Sequence, residues 1–138
     1  MDRYTYEFEA YQAERYWIVI PHGLEGATQG IDFADACDMA ADWLRIKAED
    51  AAIYGYELPD PVFGAPLEHG GERVVVSVVA GRDTIRSVSA KRASEILGVG
   101  RKHIAKMRKR ALLEGWDEGG KTRITLDSII ARLEDGRR

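Results

Sequence analysis

Cysteine occurs once in the 138 residues, at Cys37, so no internal disulfide can brace the fold. With that thiol unpaired, Cys37 reads as a small core residue. Histidine occurs three times, at His22, His69 and His103, scattered without the spacing of a zinc site. No metal and no cofactor is expected. The chain also lacks any apolar run approaching the ~20 residues that cross a bilayer. Its acidic, aromatic start has neither the basic n-region nor the apolar h-region of a signal peptide. A cytoplasmic protein without a membrane partner is expected. Internal repeats and low-complexity stretches are absent as well.

What the chain does have is charge of both signs, separated along its length. Residues 1–86 hold 7 Lys/Arg against 16 Asp/Glu, and residues 87–138 hold 13 against 7, so the formal net of -3 sums two opposite surfaces. The acidic part suits a basic protein and repels nucleic acid; the basic part has the footprint of a DNA-binding module. Two small lobes are expected, 1–82 and 83–138, in an α+β chain.

In the first lobe, Tyr4, Tyr6, Phe8 and Ala10 alternate with Thr5, Glu7 and Glu9, the period of a strand with one wet face. On this reading Glu7 and Glu9 point outward. Tyr16 to Ile20 is a second strand that Pro21 ends, with 12–15 as the connection. Ala27 to Gly30 reads as a short third strand. Asp32 is suited to cap a helix from Phe33 to Tyr54, with Phe33, Cys37, Ala40, Leu44, Ala48 and Ala51 on its inner face. Met39, Trp43, Ile46 and Ile53 add a second apolar stripe. Trp43 in that stripe either caps the core edge or belongs to a partner surface. Gly55 stops the helix, and Leu58-Pro59-Asp60-Pro61 is an extended connection. Arg73 to Ala80 reads as a strand buried on both faces, giving a β-β-β-α-β order. His22 and His69, in a loop and a glycine-rich turn, read as solvent-exposed.

A polar link from Gly81 to about Arg86 precedes the basic lobe. Ser89 caps a helix from Ala90 to Leu97, Gly98 breaks it, and a second helix runs from Arg101 toward Glu114-Gly115. Residues 87–110 hold eight Lys/Arg and one acidic residue, Glu95, which turns a helical hairpin into a candidate DNA-reading helix-turn-helix. Arg101, Lys102 and Lys106 lie in the N-terminal turns of the reading helix, and His103 beside them is either a phosphate or base contact or a solvated position. Arg108, Lys109 and Arg110 lie farther along, and Ser89, Lys91 and Arg92 start the preceding helix. Beyond Trp116, Gly119-Gly120 and the stretch 121–125 form a hairpin or wing that carries Lys121 and Arg123 toward phosphates. Asp127 is the expected cap of a last helix through Leu133, and Gly136-Arg137-Arg138 a terminal tail.

Trp17-Ile18-Val19-Ile20-Pro21, the loop ending in Glu25-Gly26, Thr28-Gln29-Gly30, the helix entry Asp32-Phe33-Ala34-Asp35-Ala36 and the exit Gly55-Tyr56-Glu57-Leu58-Pro59-Asp60-Pro61 resemble the N-terminal domain of HicB-type antitoxins. The likeness covers about residues 4 to 80. The sequence departs from the family at the 21–26 loop, which is one residue longer and lacks the usual aspartate. The resemblance implies a partial, inactive ribonuclease H-like domain that blocks a small basic mRNA-cleaving toxin with a catalytic histidine. It also implies a C-terminal helix-turn-helix, winged like excisionase-type modules, that binds double-stranded operator DNA as a homo-dimer or higher homo-oligomer and represses the operon. No catalytic residue is expected. Two other classes stay open. A solitary regulator would use the first lobe for oligomerisation or ligand sensing, and an adjacent frame for a short basic protein discriminates against it. An active nuclease needs several carboxylates converging on divalent metal, which outward-facing Glu7 and Glu9 do not supply.

Overall fold

β1 (Asp2–Ala13) is the spine of the N-terminal sheet. It pairs antiparallel with β2 (Tyr16–Pro21) on one side and with β4 (Glu72–Ala80) on the other, and β3 (Thr28–Gly30) extends β2, in the order β3-β2-β1-β4. The structure, a computed structural model, describes residues 1–136; Arg137 and Arg138 of the expected tail lie outside the described residues. β1 outruns the alternating stretch 4–10 because strand partners flank it throughout, from Asp2 opposite Ala80 to Ala13 opposite Tyr16. The β1–β2 turn needs only Glu14 and Arg15, with Glu14 left-handed at φ 57.

α1 (Phe33–Tyr54) crosses one face of this sheet. The Asp32 carboxylate accepts from the Asp35 amide at 2.7 Å, and Gly55 closes the helix at φ 74. Ala36, Ala40 and Leu44 pack on Tyr6, Phe8, Ala10, Val19 and Val76. The inner line begins at Ala36 rather than at Phe33 and Cys37, because the helix's first turn abuts β3: a Cβ on Gly30 would sit 2.4 Å from the Ala36 amide nitrogen. Phe33 instead packs edge-on to Trp17 at 5.3 Å, and Cys37 is only half-buried. Trp43 caps the core edge, edge-on to Phe8 at 6.0 Å and beneath Gly26, while Ile46 stays exposed.

β4 departs from the expectation of burial on both faces. It is an edge strand whose Val76 and Ala80 face α1, whereas Val75 is 58% exposed. A run of valines carries no period-2 signal, so its sidedness is set only by pairing with β1. A 3-10 turn at Arg82–Thr84 then packs back on this unit: Arg82 Nε donates to the Ala52 carbonyl and the Thr84 hydroxyl to Glu49, each at 2.9 Å. The chain accordingly divides after Thr84, into units Met1–Thr84 and Ile85–Arg138.

The second unit opens with β5 (Ser87–Ser89), a short strand between the polar link and the next helix that carries no alternation to announce it, and continues through α2 (Ala90–Leu97), α3 (Arg101–Lys109), β6 (Gly115–Glu118), β7 (Lys121–Thr125) and α4 (Leu126–Asp135), with sheet order β5-β7-β6. Ser89 caps α2 by accepting from the Arg92 amide, and Gly98 ends it at φ 68. Ala93, Ile104, Leu113, Ile124 and Ile129 form the core. α3 stops earlier than expected. Ala111 turns left-handed at φ 59 and the amides of Leu112 and Leu113 return to the Met107 carbonyl, which drives Leu113 inward. Gly115 is thus a strand residue, where a Cβ would meet the Arg123 carbonyl oxygen at 2.1 Å. The cap of α4 is Thr125, whose hydroxyl accepts from the Ser128 amide; Asp127 sits in the first turn. The described residues form four α-helices and two antiparallel sheets, an α+β chain, and none of the helices is long and apolar enough to cross a membrane.

Candidate nucleic-acid interface

The helical period of α3 turns Ile104 into the core and leaves Arg101, Lys102, His103, Lys106 and Lys109 exposed, with Arg110 exposed at its C-cap. No acidic residue interrupts α3, and none of these five Lys and Arg side chains is held in an ion pair among the described residues. A cleft of about 410 Å³ opens between α3 and the β6–β7 hairpin, lined by Arg101, Ala105, Arg108, Lys109, Asp117 and Thr122. Lys121 stands exposed at the hairpin tip, next to Gly119 and Gly120, which take φ 57 and 76. Lys91 is exposed on α2, and Arg92 pairs with Glu95 at 3.1 Å. Ser89 is occupied as the α2 cap.

Arg108 and Arg123 sit differently from the others. Arg108 reaches from α3 to the hairpin, donating to Asp117 Oδ1 at 2.9 Å and toward the Gly115 carbonyl at 3.4 Å. The Thr122 hydroxyl meets the same Asp117 oxygen at 2.8 Å. Arg123 donates from Nε to the Ser87 hydroxyl at 3.1 Å and from Nη2 to the Ser87 carbonyl at 2.8 Å. Both forks are turned onto protein acceptors and brace the hairpin, one against α3 and one against β5. Asp117, Thr122 and Ser87, which complete these braces, carry no sequence signal that marks them.

In the first unit, Glu7 and Glu9 do leave the α1 face of β1, but the face they enter is covered. Each is only 3% exposed, beneath the connection 56–71. Glu7 accepts from His22 Nδ1 and Arg73 Nη1, both at 2.7 Å, and from the Gly64 amide at 3.1 Å. Glu9 accepts from the amides of His69 at 3.0 Å and Gly71 at 2.9 Å, and from His69 Nδ1 at 3.3 Å. Burial alone raises the Glu7 carboxyl; the Gly64 amide, His22 and Arg73 outweigh it and hold it at about 2. Glu9 is likewise raised by burial and lowered, on balance, by the amides of Gly71 and His69 and the His69 ring. His22 is therefore not a free loop histidine, its side chain being only 12% exposed on Glu7, whereas His69 is solvent-exposed as expected, although its ring stacks on Tyr11 at 4.1 Å. Among the described residues no group of three His, Cys, Asp or Glu has the arrangement to hold a metal ion. The two carboxylates act as a clasp that fixes a long coil over the sheet.

The structural boundary sharpens the charge division. Residues 1–84 hold 6 Lys/Arg against 16 Asp/Glu and residues 85–138 hold 14 against 7. No protein-family model matches the chain, and no curated protein does. Among solved structures it is similar to a chain of a toxin-antitoxin complex from Streptococcus pneumoniae, at 18% identity and a TM-score of 0.52, over 80% of this chain and 99% of that one. At that identity the likeness is one of fold.

Proposed function

We propose that this chain is a HicB-type antitoxin: a non-catalytic cytoplasmic protein whose first unit binds and neutralises a small basic mRNA-cleaving toxin, and whose second unit binds operator DNA and represses the operon. The observation that carries this reading is the coincidence of the charge division with the boundary between the units, a net of -10 on one side and +7 on the other. The strand and helix order of the first unit supports a partial ribonuclease H-like domain, and the toxin-antitoxin origin of the structural neighbour agrees with it. In the second unit α2, the turn Gly98-Val99-Gly100 and α3 serve as a helix-turn-helix with the β6–β7 hairpin as its wing. The first turns of α3, with Arg101, Lys102 and Lys106, face base edges; Lys109, Arg110, Lys91 and Lys121 meet phosphates. One such module covers a half-site, so the operator is pseudo-palindromic and bound by a dimer.

The test is co-expression with any short basic protein encoded beside this chain, together with titration of residues 1–84 and of the full chain on promoter DNA. Rescue of growth by residues 1–84, with DNA binding only in the full chain, is expected. Salt should weaken the protein complex mainly through its association rate, since opposite net charges steer encounter. Binding of DNA by residues 1–84, without binding of the co-encoded protein, would overturn the assignment.

A further inference from the structure

β4 pairs with β1 over nine consecutive residues, from Glu72 opposite Ala10 to Ala80 opposite Asp2, without a bulge. Its other edge pairs with no strand among the described residues. Edge strands of soluble proteins ordinarily carry a device against strand addition: extreme shortness, a proline, a bulge or a protruding lysine. β3, at the opposite edge, is three residues long. β4 has none of these devices. It is nine residues, ERVVVSVVA, with five valines and neither proline nor lysine. Its one cation, Arg73, is held by Glu7 at 2.7 Å and by the Ala65 carbonyl at 2.8 Å, so it does not guard the edge. Val75, two residues on, is largely exposed.

We infer that β4 is a self-association edge: the β4 strand of a second copy adds to it antiparallel about a two-fold axis through Val76, joining two four-stranded sheets into one of eight. The backbone groups of an open edge call for a strand as occupant, and the side chains favour this strand over another. The two-fold sets Val74 opposite Val78 of the second copy, Val75 opposite Ser77, Arg73 opposite Val79 and Glu72 opposite Ala80. All nine residues are used, and no like charges meet. Opposed residues share parity, so both α1 helices lie on the same face of the joined sheet. Such an interface is isologous, as a closed dimer requires. Charge argues the same way. Within a unit of net -10, β4 carries charge only at its first two positions, Glu72 and Arg73, and none from Val74 to Ala80, so over that stretch a second acidic unit is not repelled and a basic partner gains no attraction.

Sedimentation of the full chain, free of DNA and of any basic protein, tests this independently of the antitoxin reading. The mass should rise with concentration toward twice 15.4 kDa. Val75→Lys should weaken self-association by roughly tenfold or more, with the thermal melt unchanged at concentrations where the parent chain is monomeric. A Val75→Cys/Ser77→Cys double variant should form a cross-linked dimer on mild oxidation, since directly opposed Cβ atoms lie within disulfide range, whereas the parent chain with Cys37 alone should not. A chain that stays monomeric throughout would overturn the inference, as would a dimer indifferent to Val75→Lys that fails to cross-link. Pairing of β4 with a strand of the basic partner instead would appear as a monomer that assembles only when that partner is added, and equally refutes it.

Discussion

Replacing Arg123 and replacing Lys121 should have opposite signatures, although the two residues are two apart on one strand. Lys121 is exposed at the hairpin tip, and a lysine that neutralises one phosphate contributes about 0.9 to the slope of log K against log salt. Lys121→Ala should make that slope shallower by about 0.9. Between 50 and 200 mM salt its deficit relative to the parent then shrinks by a factor of roughly 3.5. Its melting temperature should not move. Arg123 instead makes two charge-assisted hydrogen bonds to Ser87, at 2.8 and 3.1 Å, in a half-buried setting. Losing them costs about 2 kcal/mol, which in a unit of this size lowers the melting temperature by roughly 10 °C. Arg123→Ala should therefore melt early and bind more weakly because the hairpin is loosened, yet keep the parental salt slope. Fluorescence anisotropy on the chain's own promoter at several salt concentrations, paired with calorimetric melts, separates the two. An Arg123→Ala protein that melts like the parent and loses about one unit of slope would refute the reasoning.

Arg101→Ala or Lys102→Ala should cost ~1–3 kcal/mol on the operator and relax discrimination at one base position, with a much smaller effect on scrambled duplex in the same titrations. The Glu7 carboxyl sits at about 2 when folded, below the ~4.3 of a free glutamate, so its stabilising contribution is complete above the unfolded value and is lost as pH falls from there toward 2. Melts of residues 1–84 from neutral pH down to about 2 should show Glu7→Gln less stable at neutral pH and converging on the parent in acid; parallel curves would exclude the clasp. Leu44→Ala, at a fully buried site over Phe8 and Val19, should cost ~2–5 kcal/mol in urea unfolding, while Ile46→Ala, on the exposed stripe two residues away, should stay within about 0.5 kcal/mol.

The elements whose ends carry their own chemistry are legible in the sequence. α1 and α2 begin at their caps, Asp32 and Ser89, and end at Gly55 and Gly98, because the orphan amides and carbonyls of a helix end are met by residues adjacent in the chain. The end of α3 is not set that way. Nothing local stops it at Lys109; the core's need for Leu113 does, by turning Ala111 left-handed. Likewise β4 shows no side because every residue from Val74 to Val76 is equally apolar, and which valine is wet depends on α1 covering one face alone.

Glu7 and Glu9 mislead for a related reason. Alternation separates the two faces of β1 correctly, but it cannot say whether the polar face meets water or a folded-back coil, and the 56–71 connection supplies its donors from about 60 residues away: the amides of Gly64, His69 and Gly71. Only the run of three glycines and a histidine in a region without secondary structure hints that backbone amides there are free to meet a carboxylate. The basic surface of the second unit poses the same difficulty with the sign reversed. Arg108 and Arg110, or Arg123 and Arg101, are indistinguishable by residue type, since a guanidinium that meets phosphate and one that braces a hairpin need the same charge and the same fork. The acceptor decides, and for Arg123 it is Ser87, 36 residues earlier, brought alongside only because β5 pairs with β7. The candidate DNA contacts are accordingly a subset of the basic residues: those whose acceptors are not already supplied by the fold.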